Sequence, residues 1–552
     1  MSVFKLIKVC SIAAPLFFYG LHAPGLKIAE QQYQLPVLKG KSDNPVLRIK
    51  LSNVSEGQKL TGLTISTQGS TDLKDIKHIR VWYYGKDSLP GTVMATKGKL
   101  FSAAAAKKEV VLNGDLSLAE GDNFLWLSYE LGDKANLLNF IDAKAIAVKL
   151  DGKRLTFTQP DNDIKQRIGV AVRQHDQDGV HTSRIPGLAT TNKGTLIAVF
   201  DARYESARDL QGHMDIGVHR SEDGGNTWKP LQIAIDMKEW GGLPQKFNGV
   251  SDACILVDKN SNAIYIAGLW MHGVKNAEGK WLEGLTNESK DWNHQWKTRG
   301  SQPGFGVKES SQFMIVKSTD DGKTWSEPVN LTTMGKKEEW WLWAPAPGQG
   351  LTMKDGTLVF PTQGRDKNGK GFSNLTYSKD GGKTWKATNP AGKESTTENM
   401  AAELSDGSIL LTMRSGANKG RMEGNGRVMA VTKDLGENWT AHPGSRKALI
   451  EPGCMASIIR HDYSVKGMKK SVLFFSNPDS KTARNRMTIK YSIDDGATWS
   501  TALLLDEFNS RGYSCLTSID SETIGIFYES SQADIAFQAV KLTDLIFPKK
   551  KI

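Results

Sequence analysis

At 552 residues the chain exceeds what a single hydrophobic core usually serves, so two domains are expected. Hydrophobic residues at 39% and charged residues at 24% fit an ordinary globular protein and exclude a polytopic membrane protein or a disordered chain. A formal net charge of +11 favours an anionic partner. With no zinc-ligand spacing, no recognition-helix signature and no basic block longer than Lys549–Lys551, nucleic acid is not that partner.

In chain order, Lys5 and Lys8 precede an apolar run from Val9 to Leu21 and then Leu21-His22-Ala23, the pattern of a secretory signal peptide over residues 1–23. Export to the periplasm or the cell exterior is therefore expected. No later stretch approaches about 18 apolar residues, which predicts no stable membrane insertion. Beyond that segment Cys254, Cys454 and Cys515 lack short spacings, so buried free thiols are expected rather than disulfides or a metal site.

Residues 24–165 hold only Trp82 and Trp126 of the 15 tryptophans. Short apolar runs such as Lys77–Tyr84 and Asn123–Tyr129 alternate there with Gly, Asn and Asp turns, predicting a small β-sandwich. The polar stretch Gln159–Asp163 reads as the linker.

From residue 166 onward one eight-residue pattern is written five times, at Ser221–Trp228, Ser318–Trp325, Ser378–Trp385, Thr432–Trp439 and Ser492–Trp499. Each copy follows a strand-like apolar run, as Gln312–Val316 does. Its Asp can accept from backbone N–H groups, its Gly can take positive φ and its Trp can pack beneath the hairpin. Three of the intervals are 54 to 60 residues, and one of 97 is wide enough to hold an unmarked unit. Such spacing predicts radial sheets about an axis, a six-bladed β-propeller over residues 166–552.

These Ser-x-Asp-x-Gly-x-Thr-Trp copies resemble the Asp boxes of the sialidase (neuraminidase) superfamily, and Ser183–Leu188 with Gly194–Arg203 resembles its Arg-Ile-Pro signature and following strand. The resemblance implies an exo-α-sialidase of the bacterial kind, with a leading domain found on some of its members. It implies that Arg184, Arg414 and Arg484 form the triad that grips the substrate carboxylate, with Arg486 an open alternative to Arg484. Arg203 would face the same sugar and Asp252 would contact it. Asp209 would be the acid/base, Tyr513 the nucleophile, Glu398 its activator and Glu529 the brace of Arg184.

The chemistry of these residue types is coherent. Guanidinium groups bind carboxylates through paired, charge-assisted hydrogen bonds. A neutral tyrosine, unlike a carboxylate, is not repelled by the substrate's own negative charge, and a glutamate can take its proton as it attacks. The expected partners are sialylated glycans of mucins, glycoproteins and gangliosides, with no cofactor, no metal and a monomeric enzyme. A trans-sialidase would share all these residues, whereas a non-catalytic sialic-acid-binding propeller would lack the Tyr/Glu/Asp set. The leading domain is expected to bind glycan or to act as a spacer. Trp340, Trp341 and Trp343 could line an acceptor subsite or belong to the core.

Overall fold

A computed structural model of the protein describes residues 25–88, 98–158, 164–210, 212–273, 280, 282 and 301–546. The expected leader, the linker Gln159–Asp163 and the Lys549–Lys551 tail lie outside the described residues.

The N-terminal part is two antiparallel sheets. One orders Lys27–Gln32, Asn44–Val54, Gly121–Leu131, Ile76–Tyr83 and Lys99–Ala104; the other orders Lys153–Thr156, Lys144–Leu150, Lys59–Ser66 and Glu109–Ser117. Alternation drives the pairing, since a period of two puts every second side chain on one face. Ile49, Leu51, Leu63, Ile65, Leu127 and Val148 meet in a shared core.

The rest is a β-propeller in which, among the described residues, six antiparallel units of four strands follow one another. Their first strands are Thr182–Thr190, Asn248–Val257, Leu342–Pro345, Asn399–Glu403, Ser457–Val465 and Ser514–Ser518, and these neighbour one another around the axis. The sixth unit takes its fourth strand from far upstream: Gln166–Arg173 lies antiparallel to Ile535–Lys541. Val37–Lys39, from the N-terminal part, then adds to it in parallel and covers its edge. Apolar side chains from both parts, Val37 and Leu127 with Ile168 and Phe537, form one continuous cluster, so the two parts are packed as one.

The five repeated turns all join the third strand of a unit to the fourth. In the first, Asp223 Oδ1 accepts from Ser221 Oγ at 2.8 Å and from Thr227 N at 2.9 Å, and Asp223 Oδ2 accepts from Thr227 Oγ1 at 2.6 Å. Asp320, Asp380 and Asp494 repeat the set, and Asp434 does so with Asn438 in place of threonine. The tryptophans reach further than their own hairpins. Trp228 of the first unit packs against Phe527 and Phe537 of the sixth, and Trp385 of the third against Tyr265 of the second.

One expectation needs correcting. Among the described residues the 97-residue interval holds no extra unit: the turns at Ser221 and Ser318 belong to consecutive units. The added length lies between strands Ile264–His272 and Gln312–Ser318, and the unit without a repeated turn is the sixth.

Candidate active site

Because strands alternate in direction, starts of first strands, ends of second strands and starts of third strands share one end of the propeller, opposite the repeated turns. Every candidate residue sits at that end. Glu398 and Tyr513 immediately precede first strands, Arg203 ends a second strand, Arg414 and Glu529 immediately follow one, and Arg484 precedes a third. In the fourth unit Arg414 N donates to Glu398 O at 2.8 Å, and in the sixth Glu529 N donates to Tyr513 O at 2.9 Å. The same backbone position thus presents Glu/Arg in one unit and Tyr/Glu in the other.

Arg184 lies beside a register shift between Arg184 and Gly187, where Ile185 takes φ +59°. A β-branched residue there is a conformational outlier. It is held by its N–H donating to Glu529 Oε1 at 3.1 Å and by its side chain packing with Met400 and Tyr513. The bulge turns Arg184 onto Glu529, with Nε to Oε1 at 2.8 Å and Nη2 to Oε2 at 3.2 Å. Glu529 Oε2 also accepts from Tyr513 N at 2.9 Å. Although burial opposes ionisation, Arg184 and these N–H donors hold the Glu529 carboxyl below its usual range.

The Tyr513 hydroxyl makes a short hydrogen bond to Glu398 Oε1, while Arg414 Nη1 donates to Glu398 Oε2 at 2.6 Å and to the Tyr513 oxygen at 3.0 Å. Two cations lie over the Tyr513 ring, with Arg184 Cζ 5.3 Å and Arg484 Cζ 5.5 Å from its centroid. Burial and the neighbouring Glu398 push its phenol well above the ordinary value, so it rests protonated. Gly512 before it, at φ +87°, has room for no side chain: an added Cβ would fall 2.9 Å from Pro478 Cγ and 3.1 Å from Arg484 Cβ.

Arg203 is fully buried and donates to Asp201 Oδ2 at 2.8 Å and to Ala207 O at 2.9 Å. Asp209, with its side chain partly open to solvent and its carboxylate turned in onto the arginines, rests on it at 2.6 Å from Nη1 and stands 3.8 Å from Arg184 Nη1. Burial pulls the Asp209 carboxyl up, but Arg203 and Arg184 outweigh it and hold it below the usual carboxylate value. Asp252, at φ +58° in a second bulge, has its N–H on Asp201 Oδ1 at 3.1 Å and accepts from Gln363 Nε2 at 3.1 Å. Burial, with Asp201, Glu398 and Asp209 nearby, raises its carboxyl well above the ordinary value and favours its protonated form.

The candidates therefore gather around Tyr513. Backbone separates the two late arginines: Arg484 lies over the Tyr513 ring, whereas Arg486 takes φ +57° and is exposed near Glu507. Trp340 and Trp343 are core, packed on Phe372 and Phe313, and Trp341 donates to Lys367 O at 3.2 Å. The three cysteines are buried and free. Asp201 escaped the sequence reading; a lone aspartate two residues before Arg203 on an apolar strand was its signal, because i and i+2 share a face.

A propeller that gathers Arg184, Arg414 and Arg484 with Tyr513, Glu398 and Asp209 at one end has the arrangement expected of the sialidase class. Residues 185–505 match the BNR repeat-like domain, and residues 26–154 match the N-terminal domain of BNR-repeat neuraminidase. A sialidase of Bacteroides fragilis is 39% identical over 569 residues, covering 98% of this chain and 100% of the relative. One of Paraclostridium sordellii is 30% identical, covering 63% of this chain and 81% of its own. Among solved structures, the Hadza microbial sialidase Hz136 superposes with a TM-score of 0.83 at 37% identity, covering 94% of this chain and 100% of that one. The chain belongs to the BNR-repeat sialidase family.

Proposed function

We propose that the protein is an exported exo-α-sialidase that releases terminal sialic acid from glycoproteins, mucins, gangliosides and oligosaccharides, with retention of configuration, through a covalent sialyl-tyrosine intermediate. The observation that carries this reading is the Tyr513 hydroxyl on Glu398, with Arg414 touching both and Arg184 and Arg484 flanking the ring. Six four-stranded units support a count of six blades, with residues 24–165 as an N-terminal domain that lends strand Val37–Lys39 to the sixth.

Arg184, Arg414 and Arg484 receive the substrate carboxylate, which sits on the anomeric carbon, and so place that carbon over Tyr513. Tyr513 Oη attacks it, and the phenolic proton passes to Glu398 as the bond forms. Protonated Asp209 gives its proton to the departing glycosidic oxygen. In the second step ionised Asp209 takes a proton from water, the water oxygen attacks the anomeric carbon, the bond to Tyr513 breaks and Glu398 returns the proton. Two displacements at one carbon retain configuration, and a tyrosine nucleophile departs from the two-carboxylate scheme of most glycosidases. Glu529 fixes Arg184 and the backbone at Tyr513 together.

The test is release of fluorophore from an α-linked sialic acid glycoside by purified protein in the presence of a chelator, with Tyr513→Phe alongside. Turnover by the wild type and little by the variant supports the reading; binding of sialic acid without turnover moves the protein to the non-catalytic class.

A further inference from the structure

Outside the catalytic cluster, one ion pair among the described residues has both side chains wholly buried. Arg427, which immediately precedes the third strand of the fourth unit, donates from Nη1 to Glu451 Oε2 at 2.7 Å, and Glu451 lies on the connection to the fifth unit. Taking two charges out of water is unfavourable, and their attraction offsets this only when the remaining donors and acceptors are matched as well. Here one is not: Arg427 Nε is buried without a hydrogen-bond partner among the described residues. A well-packed apolar pair of the same volume would hold the two units together at least as firmly, so cohesion alone does not account for these residues.

What the pair holds is the backbone on both sides of Arg414. Arg427 Nη2 donates to Thr412 O at 3.2 Å, two residues before Arg414, and Glu451 Oε1 accepts from Ser415 N, one residue after it, at 3.0 Å. Asn418 Nδ2 donates to the same Oε1 at 2.6 Å and ties in the short turn Gly416–Asn418 that follows. A second route leads to the nucleophile. Arg427 Nη1 also donates to Cys454 O at 2.7 Å, and Cys454 Sγ donates to Gly512 O at 3.4 Å, the residue that leads into Tyr513. Burial pushes the Cys454 thiol up to about 11, so it stays a neutral donor.

We propose that Arg427 and Glu451 are positioning residues of the reaction, which fix Arg414 at its 3.0 Å contact with the Tyr513 oxygen and so set where the substrate carboxylate sits over the nucleophile. The inference rests on the sialidase reading, in which Arg414 receives that carboxylate. Glu451 serves Arg414 much as Glu529 serves Arg184: each buried glutamate accepts the backbone N–H just after its arginine, from Ser415 in one case and Ile185 in the other. Unlike Glu529, Glu451 reaches its arginine through the backbone alone.

The experiment compares the full-length wild type with Glu451→Gln, with Arg427→Lys and with a control from the turn end, Arg220→Met, whose buried guanidinium bonds Asp321. For each, kcat and KM on a fluorogenic α-sialoside and the Ki of free sialic acid are measured well below the midpoint of thermal unfolding. Because a displacement of about 1 Å at a positioned group costs about 10²-fold, kcat/KM should fall about 10- to 100-fold in both site-end variants, with KM and Ki rising together. The control should lose a few degrees of midpoint and keep all three constants within about twofold. Lower midpoints with unchanged kcat, KM and Ki in the site-end variants, or an equal kinetic loss in Arg220→Met, make the pair structural and overturn the proposal. If Glu451→Gln does not fold, Arg427→Lys decides. A wild type without turnover overturns the sialidase reading and the positioning role with it.

Discussion

The two ends of the propeller are built on opposite principles. At one end, five aspartates satisfy themselves within four residues of their own position, through a serine or threonine before them and a threonine or asparagine after. At the other, Arg184 finds Glu529 across 345 residues and Tyr513 finds Glu398 across 115. The first end is a set of independent local turns that hold the scaffold. The second is one coupled network of buried charges, which no single unit can make. Changes at the site end should therefore alter chemistry steeply, and changes at the turn end should alter stability with chemistry intact.

The largest effect is expected from Tyr513→Phe, which removes the proposed nucleophile and should cut kcat about 10³-fold or more in a fluorogenic assay; activity within tenfold of the wild type would sink the assignment. Asp209→Ala should follow, with kcat down about 10²–10⁴-fold on a natural glycan. On an aryl glycoside, whose leaving group needs less protonation, the loss should be visibly smaller, and identical losses on both would remove Asp209 from the acid role. Glu529→Gln should come third. It takes the charge from a buried pair and should lower stability by about 3 kcal/mol in denaturant unfolding, with a rise in KM as Arg184 loosens. An unchanged KM would leave Glu529 a purely structural brace.

The pH profile sharpens the comparison further. In the free enzyme, against the pull of burial, Arg203 and Arg184 depress Asp209, so its protonated, catalytic form is lost as pH rises through a value below the ordinary 3.8. A bound substrate carboxylate offsets those arginines and raises it. The falling limb of kcat should thus lie at higher pH than that of kcat/KM, and coincident limbs would contradict this coupling. The smallest catalytic effect belongs to the turn end. Asp494→Ala should leave kcat/KM within about twofold while lowering the midpoint of thermal unfolding by a few degrees. Burial pulls the Asp494 carboxyl up, but hydrogen bonds from Thr498 and Ser492 outweigh it and depress the group. Its contribution is therefore present above the unfolded pKa and fades as pH falls through the folded one.

The same division explains what the sequence could disclose. The turns were legible because each is complete in eight consecutive residues and is written five times. The site residues were legible one at a time, through short segments around Arg184, Asp209, Glu398 and Tyr513, because each sits at a strand end with its own local pattern. What could not be read is what depends on backbone detail or distant packing. An ideal strand puts Arg484 and Arg486 on one side, yet both precede the strand at Met487 and the positive φ at Arg486 parts them. The 97-residue interval looked like a missing unit because its length carries no mark of where the strands fall. Arg427 and Glu451 stood out by no motif; only the fold pairs them and sets them against the backbone around Arg414.

The closing sheet also sets a timetable. Its outer strand, Gln166–Arg173, is made early, and the strands it must join, Ile535–Lys541 and those beside it, are made last. At about 5–20 residues per second, the stretch from Arg184 to Glu529 occupies a ribosome for tens of seconds. Throughout that interval Arg184 has no carboxylate brace, and for nearly all of it Tyr513 does not yet exist. A nascent chain of this protein is accordingly inert toward its substrate until synthesis is nearly complete, and a chain that stops short of Glu529 never acquires the brace.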